Sequence, residues 1–349
     1  MVLGKTDNKD YSISCARFIA MIFIVACHMM QRDGFASDIY GAHIEWAYWF
    51  NVGVQMFLFI SGYLYGRKKK IDTVEFYKKS FPKLLIDYYV FIVIVLVAIH
   101  FSSLWDTDLS GVIGLFTFSG TIPGLGHLWF IPVILFCYLL VPVFSEIIGA
   151  IDKRSDMRFW IESILLILLI HVVVKRLFPT FNPAWVNCFV IGMIYSRLEQ
   201  RSVVNKRVFA GGVIGFCLLI IPLQFRLDYW PHDEFPWFIE SRYGYFQNYG
   251  HVFLGILIVL IIRFIYNRIS HSSSSTHFIL RWSDKYSYDV YLAHHVFVQS
   301  AFGCVEFISN RWIALPLAVV LSLISAVLLY HISEFLRSGF SFRSSKNHV

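Results

Sequence analysis

"ARFIAMIFIVACHMM", residues Ala16–Met30, is an apolar run with an arginine near one end and a histidine near the other. Its composition predicts a membrane helix, and a charge within such a span costs about 2.5–3.5 kcal/mol on insertion scales. Two polar side chains in that setting need a reason. Eleven residues at about 100° each make three turns plus about 20°, so Arg17 and His28 share one helix face, about 16 Å apart along the axis. The pair reads as the lining of a polar path. Neutral imidazole at its end takes a hydroxyl proton near pH 7, which makes His28 a candidate general base. The plainer alternative is a snorkelling arginine and a histidine that caps the helix.

The rest of the chain agrees with a membrane reading. It has 349 residues, 57% of them apolar, a mean hydropathy of +0.61 and 15% charged residues, against about 25% charged in average globular domains. Apolar windows of span length recur throughout, which predicts an all-α integral membrane protein. One domain is expected over 1–349, with a membrane core at 12–335 and a tail at 336–349. About ten transmembrane helices are expected: 12–31, 47–65, 82–101, 127–149, 159–175, 184–198, 208–224, 250–268, 286–307 and 313–335. With the N-terminus inside, 24 of the 30 lysines and arginines fall on the cytoplasmic side, so both termini are expected to be cytoplasmic. The six outward ones are Arg32, Lys175, Arg176, Arg226, Arg242 and Arg311.

That asymmetry explains the +7 net charge as topology, and no nucleic-acid partner is expected. Lys5 and Lys9 before an apolar run resemble a signal peptide, but Arg17 interrupts the run and no small-x-small site follows, so cleavage is not expected. The six cysteines lack CxxC spacing, so neither a disulfide framework nor a metal site is expected. "GGVIG", Gly211–Gly215, reads as a small-residue packing face, and "HSSSST", His271–Thr276, as a flexible cytoplasmic connection.

Further polar residues gather at span ends. Asn51 and Gln55 lie one turn apart, and Ser61-Gly62 follows, permitting close helix approach or an interruption; interhelical packing is the plainer account. Arg67, Lys68, Lys69 and Lys70, then Lys78, Lys79 and Lys83, form either a positive-inside anchor or a holder for a polyphosphate. "GHLWFIPV" puts His127 and Trp129 at an outer interface, and "SYDVYLAHH" carries Tyr291 and His294 on one face. Three outward loops, 32–46, 102–126 and 225–249, are long. The last is dense in aromatics and carboxylates, so Trp230 and Trp237 are candidates for stacking on sugar rings; an interfacial belt is the alternative. Arg17 needs a partner at its own depth. Asp289 and Asp87 are the carboxylates expected there, Asp289 preferred, with Tyr88 and Tyr291 completing the polar cluster.

Taken in order, Arg17 with His28, "GVQMFLFISGYLYG", "KKSFPKLLIDYY", "HLWFI" and "SYDVYLAHH" resemble the membrane acyltransferase family three, which includes bacterial O-acetyltransferases of capsules, O-antigens and nodulation factors. The resemblance implies ten core spans, acetyl-coenzyme A as the donor from the cytoplasm, and a glycan or small hydroxyl or amine acceptor. It implies that Arg17 and His28 are essential, and it matches the family's basic stretch to Lys78, Lys79 and Lys83. Arg67 and Tyr88 join them as expected donor contacts. Asp87 departs from the family, which usually has proline there. With no hydrolase-like domain appended, the membrane domain is expected to handle the acceptor by itself.

The chain is therefore expected to be a multi-pass O-acetyltransferase of the bacterial cytoplasmic membrane. It would move acetyl from acetyl-coenzyme A to a hydroxyl of a surface polysaccharide or its lipid-linked precursor. Transfer would run directly or through an acyl-histidine. Asn51, Gln55, Ser61, His127, Trp129, Tyr291, His294, Trp230 and Trp237 are the expected acceptor contacts. No permanently bound cofactor is expected, and the partners are the donor, the glycan and membrane lipids. A transporter or a polysaccharide polymerase is the alternative. The carboxylates near span ends argue against the former, and an outward loop with only two arginines argues against the latter.

Overall fold

Asp10 starts the first helix. Its carboxylate accepts the Ser12 N–H at 3.1 Å and the Ser12 hydroxyl at 2.5 Å, capping α1 (Tyr11–Asp33). Gly34 ends the helix at φ +61°, a left-handed conformation that costs glycine nothing. The computed structural model describes residues 9–39, 42–68, 70–102, 107–229, 236–269 and 274–346 and is 84% helical.

An antiparallel hairpin follows α1, β1 (Ala36–Ile39) with β2 (Ala42–Glu45), in a stretch expected as loop. Next come α2 (Trp46–Phe50) and α3 (Gly53–Gly66), which split the expected span 47–65 at Asn51-Val52. Asp72 caps α4 (Thr73–His100) through the Glu75 N–H at 2.8 Å, and α5 (Leu109–Thr117) occupies part of the loop expected at 102–126. A 3-10 turn, Gly126–Trp129, runs straight into α6 (Phe130–Asp152). Then come α7 (Asp156–Leu177), α8 (Pro183–Arg201), α9 (Val203–Tyr229), α10 (Trp237–Glu240) and α11 (Tyr243–Ile269). The chain closes with α12 (Ser274–Val298), α13 (Cys304–Phe307) and α14 (Arg311–Lys346), so the expected tail continues the last helix at least to Lys346.

Seven of the described helices are long and apolar enough to cross a membrane: α1, α4, α6 with its 3-10 turn, α7, α9, α11 and α14. The three other expected spans are helical for a different reason. The α3 helix has 14 residues, about 21 Å. The α8 helix is buried on almost every side from Ala184 to Leu198 although it carries Asn187 and Arg197. The α12 helix is rich in charged and polar residues and starts at Ser274, well before the expected boundary at 286. The α3 helix is apolar but short, whereas α8 and α12 owe more to packing against other helices than to hydropathy.

The core forms around α8, which touches α3, α6, α7, α9 and α11. Its tightest contact is with α3, where a Cβ on Gly62 would run into the Phe189 carbonyl and one on Gly192 into the Phe59 carbonyl. The close approach expected at Ser61-Gly62 is thus present. "GGVIG" is different: a Cβ on Gly211, Gly212 or Gly215 would meet no described atom within 4 Å, because this part of α9 faces outward. All six cysteines are free thiols and five are buried. The proline inside α4 is Pro82. Position 87 instead holds a buried aspartate that accepts Arg337 of α14, an ion pair that ties the third expected span to the last.

Candidate active site

Arg17 lies on the side of α1 that faces α12, and its Nη1 donates to Asp284 Oδ1 at 2.7 Å. The other oxygen of Asp284 accepts the Ser14 hydroxyl at 2.5 Å and Lys9 Nζ at 2.8 Å. The expected partners are therefore corrected. Asp87 belongs to Arg337, and buried Asp289 keeps Oδ1 without a described partner. Because α12 begins about three turns earlier than the apolar pattern indicated, Asp284, not Asp289, reaches the depth of Arg17. Two cations share one carboxylate here, which leaves a net positive charge.

Eleven residues further along both helices, His28 meets His295 with ring centroids 4.4 Å apart. Asp284 and His295 repeat on α12 the spacing of Arg17 and His28 on α1. The helices run parallel, with an ion pair at one level and an imidazole pair at the other. Gln299, in the turn that follows α12, locks the second level by donating to the His28 carbonyl at 2.6 Å.

His127 of the 3-10 turn and His294 of α12 complete a group of four. His127 stacks on His295 at 4.2 Å and lies 5.1 Å from His294 and 6.5 Å from His28; His28 and His294 are 5.3 Å apart. Backbone carbonyls set three of the tautomers, because a carbonyl only accepts. His127 Nε2 faces the Leu292 carbonyl at 3.2 Å, His295 Nδ1 the Gly124 carbonyl at 2.6 Å, and His294 Nδ1 the Val290 and Tyr291 carbonyls at 3.1 and 2.7 Å. Those nitrogens carry the hydrogens, so His127 Nδ1, His295 Nε2 and His294 Nε2 keep lone pairs. His127 Nδ1 and His294 Nε2 are buried with no described partner. His28 Nδ1 lies 2.8 Å from Gln31 Oε1, which in the same way leaves Nε2 as the basic nitrogen. His28 is also the half-buried member, the one a ligand reaches. The group is a cluster of bases aimed at O–H or N–H donors.

The other expected contacts divide. Tyr291 donates its hydroxyl to the His127 carbonyl and so holds the turn that presents His127. Trp129 stacks on Trp185 at 4.2 Å. Asn51 and Gln55 serve the break between α2 and α3. Gln55 is buried, and its amide nitrogen donates to the Asn51 carbonyl at 3.0 Å. Ser61 lies beside Tyr138. Trp230 falls outside the described residues, and Trp237 is 74% exposed.

At the Arg17 end, Lys78, Lys79 and Lys83 are exposed on the first turns of α4, and Arg67 lies 3.7 Å from Asp10. Tyr88 is not with them: it is buried, and its hydroxyl donates to the Leu115 carbonyl at 2.6 Å. A cavity of about 400 Å³ between α8, α9 and α11 is lined by Lys206, Arg207, Arg263 and Arg268, with Glu199 opposite. Arg263 binds Glu199 at 3.2 Å and Asp10 at 3.3 Å, which places this basic cavity near the start of α1.

Sequence reasoning missed Asp284, His295, Gln299 and this cavity. The first two carried a signal: the aspartate–histidine spacing on α12 matches the arginine–histidine spacing on α1. Gln299 and the cavity depend on which helices adjoin, and no local pattern encodes that.

No curated protein and no solved structure matches the chain. A family model described as an acyltransferase domain matches residues 10–331, a stretch that takes in Arg17, Asp284 and all four histidines. The chain is a multi-pass member of the membrane acyltransferase family three.

Proposed function

We propose that the protein is an O-acetyltransferase of the bacterial cytoplasmic membrane. It takes acetyl from cytoplasmic acetyl-coenzyme A and places it on a hydroxyl of a surface polysaccharide, of capsule or O-antigen type, or on the lipid-linked precursor. The observation that carries this reading is the pairing on α1 and α12 of a cationic level and an imidazole level, about 16 Å apart. His28 Nε2 takes the acceptor proton as the hydroxyl oxygen attacks the thioester carbonyl. The carbon–sulfur bond breaks, and the departing thiolate recovers the proton from His28. His127 and His294, buried behind His28, pack against its ring and hold it in place toward the acceptor. Arg17, with Lys9 beside it, meets the donor's anionic part, and Lys78, Lys79, Lys83 and Arg67 extend that field.

Ten passes with both termini cytoplasmic fit this division of labour. Parallel packing of α1 with α12 supports it, because the first and ninth spans of an alternating chain run the same way. The parallel contact of α3 with α8, the second and sixth, supports it equally.

The test is transfer of labelled acetyl from acetyl-coenzyme A to glycan in membranes that contain the protein and the host's surface-polysaccharide precursors. Label in the glycan that depends on the protein is expected. Absence of transfer across a full set of such precursors overturns the reading.

A further inference from the structure

Behind the histidine group, at the same end of the molecule, lies a cavity of about 600 Å³ between α7, α8 and α11, within the usual range of small-molecule sites of about 300–1,000 Å³. We infer that this cavity holds the acceptor, and that the acceptor is a saccharide carrying an anionic group such as a uronate. The inference rests on the transferase reading for its purpose but on separate residues for its chemistry.

Position is the first argument. Trp185 lines the cavity and stacks on Trp129 with ring planes 30° apart, and Trp129 ends the turn that carries His127. An aromatic bridge thus joins the cavity to the bases. A sugar chain lying along it presents one residue in the cavity and the next toward His28.

The lining supplies the second. Trp185, Tyr245 and Tyr249 offer ring faces of the kind sugars stack on, and Asn182 and Asn248 offer amides for hydroxyls. Lys175 and His171 are the basic members, and no carboxylate occurs among the described lining residues. A neutral sugar gains nothing from a lysine at this point, whereas an anionic one gains a charge-assisted hydrogen bond. Lys175 is also one of the few cations on the side opposite the cytoplasmic majority, where the basic bias of membrane topology does not account for it.

The third argument is that the wall is built in advance. Asn182 donates to Asn248 at 2.6 Å, Asn187 to the Tyr249 hydroxyl at 2.8 Å, and His171 Nδ1 lies 2.7 Å from that same hydroxyl. Lys175 donates to the Tyr245 hydroxyl and lies 4.6 Å from its ring centroid. Asn187 is fully buried, and its Oδ1 has no described partner. Side chains held this way lose little freedom when a ligand arrives.

The experiment measures binding to the full-length protein in detergent, with no donor present, using oligogalacturonate and maltohexaose as the probes. Oligogalacturonate is expected to bind at least about tenfold more tightly than maltohexaose, with Lys175→Gln removing about tenfold. Lys175→Arg should restore most of that loss, which ties it to the charge, and an unchanged thermal midpoint of Lys175→Gln shows that the glutamine variant is folded. Trp185→Ala should weaken both probes. Equal affinity for the two probes, no binding of either, or a Lys175→Gln protein that binds like the original overturns the inference. The transferase reading fails separately. If oligogalacturonate binds as expected but membranes transfer no acetyl, the site stands without the reaction. If acetyl reaches a glycan and Lys175→Gln leaves the acceptor KM unchanged, the reaction stands without this site.

Discussion

His28 is chemically distinct from the three histidines around it. Their N–H groups are held by backbone carbonyls, whereas its own Nδ1 rests on the side chain of Gln31, and it alone of the four is open to a ligand. His28→Ala should therefore reduce transfer by at least about a hundredfold, the scale of a general base, at unchanged membrane abundance. Initial rates normalised to immunodetected protein check this, and retained activity would remove His28 from the mechanism. Arg17 has a structural part, its bond to Asp284, and in the proposed function a chemical one. If Arg17 meets the donor as proposed, a lysine keeps the charge but not the planar guanidinium that bonds Asp284, so Arg17→Lys should raise the donor KM while the protein stays in the membrane. Asp284→Asn leaves Arg17 and Lys9 without a counter-charge. The loss is expected at about 1.5–3 kcal/mol, the range for hydrogen bonds to charged groups. Arg17→Asp combined with Asp284→Arg should recover the abundance that either single change loses. If the combination recovers nothing, the ion pair does not hold Arg17 in the bundle.

At the scale of elements, the crossing of α3 with α8 is the most constrained contact, since the atoms facing Gly62 and Gly192 are backbone carbonyls that cannot turn away. Gly62→Ala should cost about 1–3 kcal/mol or more through overpacking, read as a lower midpoint in a thermal-shift assay in detergent. Gly211→Ala should be neutral or stabilise by about 0.5–1 kcal/mol, because its methyl meets open space and helical alanine outperforms glycine. Equal loss at both sites would mean that backbone propensity, not contact, governs these helices. The α12 helix teaches the same lesson from the polar side. A hydropathy window trims it at residue 286, yet it begins at Ser274, because polar residues such as Asp284 and His295 find partners outside their own helix.

Across the whole molecule, two basic regions lie at the Arg17 end and either could receive the donor's phosphates. One is the exposed start of α4, and the other is the cavity lined by Lys206 and Arg207. Replacing Lys78, Lys79 and Lys83 with glutamine should raise the donor KM severalfold and leave the acceptor KM unchanged. Replacing Lys206 and Arg207 in the same way should change the donor KM less, because Glu199 already answers Lys206 at 3.5 Å. The reverse order would move the phosphates to the cavity. Donor effects at this end and acceptor effects at Lys175 should be separable, since α8 holds Trp185 of the one cavity and Glu199 of the other at opposite ends, about 21 Å apart along its axis.

The sequence by itself determined the class of the protein and the placement of Arg17 and His28 on one helix face. Long apolar windows exclude water from most of the chain, and the eleven-residue spacing of Arg17 and His28 puts both on one face whatever surrounds the helix. Helical periodicity is a local property, so a single segment is enough to read it. Only the tertiary structure decided the partners. Arg17 chose Asp284 over Asp289 because helix depth follows packing, not apolarity. Trp237 turned outward while Tyr245 and Tyr249 lined the cavity, because composition marks a loop as aromatic without saying which rings face inward. His127 joined His28 across about a hundred residues of chain, a distance that no periodicity spans. Buried polar groups take whichever partner the bundle brings within reach, and that is settled by how the helices cross.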